Sequence, residues 1–258
     1  ASVDARGSTP YFGTGADGRP LFVKALGEDQ RSADLLFRVY RWLDRRDLGD
    51  ERPFSSLRRG VEHEALVALA ARDVGIRTPR LVAFATADPH AFVLAYEAIE
   101  GRSLDRLEPD EVTDAVLAAI WEQVCRLREH RIAHRDLRLA NVFLASDGVV
   151  WLIDFGFSEL AASSLLLATD IAELLASSTL QVGPGRAVAV AREAVGTEVL
   201  GDALERLHPW ALSGATRTGM KERRGLLDDL RRQVTTAADS GPPGEAAITT
   251  QRSDVPLA

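Results

Sequence analysis

The chain has 258 residues, 46% of them hydrophobic and 27% charged, with a formal net charge of -7. That size and texture suit one large domain or two modest lobes, and the acidic balance argues against broad nucleic-acid binding, which needs a basic face. A single cysteine, Cys125, excludes an internal disulfide, and its place in an apolar-periodic stretch reads as a small buried hydrophobe.

No uninterrupted apolar run reaches membrane-span length and no signal-peptide pattern opens the chain, so a cytoplasmic protein is expected. The start without methionine and the polar, Pro/Gly-bearing end read as a segment of something larger. On that reading, membrane association would come only through a fusion partner.

In chain order, the first 26 residues read as β structure, with a strand over Leu21 to Leu26 preceded by an Asp17-Gly18 turn. Residues 31–48 carry Leu35, Leu36, Val39 and Leu43 on one helical face; a break at Pro53 leads to a second helix over 57–72. Strands follow over Leu81 to Thr86 and Ala91 to Glu97, joined through Asp88-Pro89. A long amphipathic helix is set by Val112, Val116, Ile120, Val124 and Leu127, entered from Pro109-Asp110. Strands over Val142 to Ala145 and Val149 to Ile153 flank a Ser-Asp-Gly turn. Residues 159–236 look helical, interrupted near Gly183-Pro184-Gly185 and Pro209, and residues 238–258 read as a disordered linker. The order predicts a two-lobed α+β fold, with a β-rich lobe over 1–97 and a helical lobe over 98–237.

Two residue types are nearly absent. Only two lysines, Lys24 and Lys221, occur among 31 basic side chains, and Asn141 is the sole asparagine. A coding bias explains the depletion, and the survivors are candidates for positions where arginine or aspartate could not serve. Residues 134–141 read His-Arg-Asp-Leu-Arg-Leu-Ala-Asn, and Asp154-Phe155-Gly156 follows across the strand pair. Either motif alone could be a surface charge cluster or an accident. Both in order, around a strand–turn–strand, are not.

These motifs resemble the protein-kinase superfamily over about residues 20–175. The resemblance implies transfer of the ATP γ-phosphate to a hydroxyl acceptor, with magnesium (manganese as the alternative) held by Asn141 and Asp154. It implies Asp136 as the base that takes the acceptor proton, and Arg138 as a cation beside the γ-phosphate. Lys24, in the apolar strand Val23-Lys24, is similar to the lysine that contacts the α- and β-phosphates. Its helix partner is Glu62 or Glu64; both flank the apolar face, and periodicity does not choose. The E-A-x-x-x-L stretch opening at Glu64 resembles RIO-type and aminoglycoside-phosphotransferase-type kinases and favours Glu64. Backbone groups of Glu97 and Ile99 would meet the adenine edge, with Tyr96 as gatekeeper.

Gly13, Gly15 and Gly18 spell G-x-G-x-x-G, but only six residues separate Gly18 from Lys24, so a hairpin turn is expected there. A true phosphate-covering loop would lie nearer Arg6 to Thr9. Forty residues separate Lys24 from Glu64, room for an extra helix, and nothing like A-P-E follows Asp154. Asp170, only 16 residues on, is the aspartate expected to brace the catalytic loop. Such a short segment resembles atypical or small-molecule kinases, although these often carry His-Gly-Asp in the catalytic loop. The competing reading is a nucleotide-binding regulatory module without turnover, which usually lacks the lysine, the base or the metal ligand. A cytoplasmic domain of a larger membrane protein would be compatible with either. His63, His90, His130 and His208 show no metal-ligand spacing and are read as structural or solvated.

Overall fold

The computed structural model describes residues 9–27, 57–88 and 91–240. The helix expected over 31–48, the break at Pro53, Arg6 to Ser8 and the tail from 241 lie outside the described residues.

The N-terminal sheet is antiparallel throughout, in the order β1-β2-β4-β3. Its strands are β1 (Thr9–Thr14), β2 (Pro20–Gly27), β3 (Leu81–Asp88) and β4 (Ala91–Glu97). The three-glycine pattern is a hairpin end, as expected. The Gly18 N–H donates to the Gly15 carbonyl at 2.9 Å, and Gly18 sits at φ 81°, where only glycine is unstrained. The hairpin register sets Phe22 opposite Tyr96 and Lys24 opposite Leu94.

Helix α1 (Leu57–Asp73) crosses this sheet and serves two cores. Val61 and Ala65 join Phe92, Leu94 and Tyr96 in the small core of the sheet. Val67, Ala68 and Ala71 face the large core of the helical lobe instead. Glu64, one position before Ala65 on this helix, is buried and meets Lys24 of β2.

A second small sheet, β5 (Gly101–Ser103), β6 (Val142–Ala145) and β7 (Val150–Leu152), underlies the junction. Gly101 is needed at its edge, since a Cβ there would come within 2.3 Å of the Leu144 carbonyl oxygen. Five helices make the rest among the described residues. They are α2 (Asp114–Glu129), α3 (Ser164–Val182), α4 (Pro184–Leu204), α5 (Gly214–Glu222) and α6 (Leu226–Asp239). Thr113, Ser163 and Ser213 cap α2, α3 and α5, each side chain accepting a backbone N–H of the first turn. Helix α6 runs to Asp239, so the first residues of the expected linker are helical.

Helix α3 is long and apolar enough to cross a membrane by length and composition, although no uninterrupted apolar run signals it. It is a core helix: 72% of its apolar window is buried inside the protein, and it carries Asp170 and Glu173. The large core gathers around it, with Ile120, Trp121, Leu137, Leu152, Ile171 and Leu175 each at 1% exposure or less. At about 1.5–3 kcal/mol for each large apolar side chain removed from water, this lobe has ample means to hold its loops fixed.

Candidate active site

The site is built where the small sheet, the N-terminal sheet and α3 converge. From β2, the Lys24 ammonium donates to both carboxylate oxygens of Glu64, at 2.9 and 3.1 Å, and to Oδ1 of Asp154 at 2.9 Å. Glu64 is therefore the partner. Glu62 points outward, 45% exposed, and pairs with Arg58 on its own helix. Burial by itself would lower the Lys24 pKa, but Asp154 and Glu64 together hold it above the ordinary lysine value. Burial would likewise raise Asp154, and the Lys24 ammonium overrides it, so the carboxyl is held below its usual range. For Glu64 burial prevails and the pKa is raised, in spite of Lys24.

The catalytic loop hangs from Asp170. Its Oδ2 accepts the His134 N–H at 2.6 Å and its Oδ1 accepts the Arg135 N–H at 2.7 Å. The brace is as expected, and Arg135 is held at φ 64° by it. The His134 ring lies 4.8 Å from that of Phe155, and its Nε2 donates to the Ile153 carbonyl at 2.9 Å. A carbonyl only accepts, so the proton is on Nε2. Asp154 itself is in the left-handed region, φ 66°, which turns its carboxylate toward Lys24.

Asp136 is buried, at 4% exposure. Arg138 lies against it, with Nε at 3.2 Å from Oδ1 and 3.3 Å from Oδ2. The Asn141 amide nitrogen donates to the Asp136 carbonyl at 2.8 Å and to its Oδ2 at 2.9 Å. Both amide hydrogens are thus engaged, which fixes the amide with its oxygen as the atom available for a cation. Oδ1 of Asp136 accepts no hydrogen bond among the described residues and is buried beside the Arg138 guanidinium. The short β6–β7 turn returns the chain to Asp154, and the Ile153 N–H donates to the Asn141 carbonyl at 3.0 Å.

These groups suit a hard divalent cation. One carboxylate, a third exposed, and one fixed amide oxygen are supplied from adjacent segments. No group of three or more His, Cys, Asp or Glu suited to a metal occurs among the described residues. Two protein ligands are what magnesium takes when phosphate oxygens and water complete its shell.

At the lobe connection, Glu97 uses its N–H on the Arg80 carbonyl at 3.0 Å. Its carboxylate clamps Arg80 at 2.7 Å and Arg19 at 3.0 Å. The Arg80 hydrogen bond is the main reason that its pKa is lowered. Glu97 pairs with Leu21 at the end of β4, and Ile99 follows in the linker to β5.

Three residues escaped the sequence reading. His63, read there as structural or solvated, reaches the Ser158 carbonyl through Nε2 at 2.8 Å, tying α1 to the segment after Asp154. Arg135 pairs with Glu159 at 3.0 Å, and Glu159 forms a two-bond bridge with Ala133. The Tyr96 hydroxyl donates to Oε1 of Glu64 at 3.3 Å. No local pattern marks such contacts; only three-dimensional pairing does.

Residues 76–173 match the protein kinase domain family. The chain is 32% identical over 106 residues to serine/threonine-protein kinase 36 of Pongo abelii, covering 38% of this chain and 8% of that protein. It is 34% identical over 80 residues to the dual specificity protein kinase zak2 of Dictyostelium discoideum, covering 31% and 12%. It is 37% identical over 82 residues to the MAP kinase kinase MKK1/SSP32 of Saccharomyces cerevisiae, covering 28% and 16%. The chain thus spans less than a fifth of each relative's length. The α+β arrangement, a sheet-containing N-terminal region followed by a helical region, is consistent with a two-lobed kinase fold.

Proposed function

We propose that the chain is a phosphotransferase that moves the γ-phosphate of ATP to a hydroxyl on a small molecule, lipid or protein. The observation that carries this is the three-way contact of Lys24 with Glu64 and Asp154, because it joins the two lobes at one charged point. Residues 1–97 and 98–237 are the two lobes on this reading, with ATP in the cleft between them, and the setting is cytoplasmic.

Lys24 would exchange its contact with Asp154 for the α- and β-phosphates, while Glu64 keeps the ammonium aimed. Asn141 and Asp154 would hold magnesium, or manganese, which neutralises charge on the phosphate oxygens. The Asp136 carboxylate would accept the proton of the acceptor hydroxyl as the hydroxyl oxygen bonds to the γ-phosphorus and the bond to ADP breaks. Arg138, against Asp136, would lend positive charge beside the γ-phosphate. The Glu97 carbonyl and the Ile99 backbone would meet the adenine.

A short segment after Asp154 supports an acceptor like those of atypical and small-molecule kinases. Only residues 155–163 separate Asp154 from α3, which begins at Ser164. That is too short a stretch for a peptide-docking platform. The competing reading, a nucleotide-binding module without turnover, rests only on the undefined phosphate-covering loop, and retention of Lys24, Asp136, Asn141 and Asp154 favours turnover over it.

The test is thermal unfolding with and without ATP, each with and without magnesium. A ligand of the native state raises Tm by mass action. A magnesium-dependent rise that is lost in Asp154→Ala is the expected result, and no shift with any nucleotide would overturn the reading.

A further inference from the structure

From the contact between β4 and α1 we infer that Tyr96 is a positioning residue for phosphate binding, acting through Glu64 on Lys24. The inference rests on the proposed nucleotide site and extends it to a residue that need touch no phosphate.

Glu64 is a buried carboxylate, 5% exposed, with three hydrogen bonds in the structure. Two come from Lys24 and reach both oxygens; the third comes from the Tyr96 hydroxyl and reaches Oε1. The Lys24 bonds alone would let the carboxylate pivot about the ammonium. A donor on β4, across the sheet from β2, fixes the remaining angle. Tyr96 is itself immobile: it is 9% exposed, its ring belongs to the small core with Val61, Ala65, Phe92 and Leu94, and β4 is held on both edges by β2 and β3. The backbone across from it is as close, since a Cβ on Gly156 would come within 3.1 Å of Oε2 of Glu64.

The timing matters for function. Without nucleotide, Lys24 is held by two carboxylates; with phosphates bound it would turn from Asp154, and Glu64 would be the carboxylate that still holds it. The Tyr96 bond then decides whether Glu64 keeps its place or follows the ammonium. Phenylalanine at 96 would keep the packing and remove only this bond.

The experiment is calorimetric titration of magnesium-ATP into the wild type, Tyr96→Phe, Glu64→Ala and the double variant, with Tm recorded for each free protein. A hydrogen bond to a charged group is the strong kind. The expected result is about a tenfold weaker Kd in Tyr96→Phe, with no further loss when Tyr96→Phe is added to Glu64→Ala. Additive losses in the double variant, or an unchanged Kd in Tyr96→Phe, would overturn the inference. Absence of binding by the wild type would overturn the nucleotide-site reading instead, so the two failures are distinct. If Tyr96→Phe lowered only the Tm and left Kd intact, the hydroxyl would be structural and the inference would fall.

Discussion

Lys24 and Asp154, 130 residues apart in sequence, meet at 2.9 Å with Glu64 on the other side of the same ammonium. One cation thus compensates two carboxylates that burial would otherwise neutralise. Lys24→Ala leaves both without a counter-charge, so it should destabilise the protein by about 3 kcal/mol near neutral pH. The sign of its pH dependence follows. Asp154 has a lowered folded pKa, so its contribution is present above the unfolded value of about 3.9 and is lost as pH falls through the folded one. Lys24 has a raised folded pKa, and its contribution persists up to alkaline pH. The Tm gap between wild type and Lys24→Ala should therefore hold above about pH 4 and narrow as pH falls below it, measured from pH 8 down to about pH 2.

Asp136→Asn keeps the shape of the base and its place against Asn141 and Arg138. It removes the charge that accepts a proton. Turnover should fall by about 10²–10⁴-fold while ATP affinity stays within about twofold. Near wild-type turnover would remove Asp136 from the role of base.

Asp170 touches no predicted substrate atom, yet both its oxygens hold the catalytic loop. Asp170→Ala leaves the His134 and Arg135 N–H groups without that acceptor. Loss of about 2–4 kcal/mol in stability is expected. Turnover should drop together with it, checked by denaturant unfolding and by transfer rates at a temperature where the variant remains folded.

Glu173 sits on α3, its oxygens accepting the Ser213 N–H at 2.7 Å and the Thr216 hydroxyl at 2.5 Å. Burial is the main cause of its raised pKa; these bonds lower it, and the field of Asp136 adds to the rise. A carboxyl with a raised folded pKa costs stability as pH climbs from the unfolded value, about 4.3, through the folded one. Glutamine can keep a carbonyl toward the Ser213 N–H and offer its amide to the Thr216 oxygen. Glu173→Gln should therefore flatten the decline of Tm between about pH 5 and pH 8. A profile parallel to wild type would contradict this.

The motifs at 134–141 and 154–156, Lys24 and the glycine hairpin were legible because their chemistry is local in sequence or punctuated by rare residues. The choice between Glu62 and Glu64 was not fixed by periodicity. Two positions apart on a helix diverge by about 200°, but α1 is apolar toward two cores, Val61 and Ala65 in one and Val67, Ala68 and Ala71 in the other, so no single stripe decides between them. The membrane-like composition of α3 was hidden by Thr169, Asp170 and Glu173, which interrupt its apolar runs. These polar residues are functional or hydrogen-bonded in the interior, and only packing reveals that. His63, Tyr96 and Glu159 were illegible for a related reason: each acts through a partner 24 to 95 residues away.

The segment after Asp154 is sewn to its surroundings at several points. Glu159 and Ala133 exchange two backbone bonds, the Ala162 N–H reaches the Arg131 carbonyl, and Ser158 bonds His134 and His63. At about 1 kcal/mol each, five such bonds set an opening free energy of about 5 kcal/mol. The displaced population is then of order one molecule in several thousand. A stretch so rarely open is a poor latch for a signal, and the rate of this protein would answer to what enters the cleft.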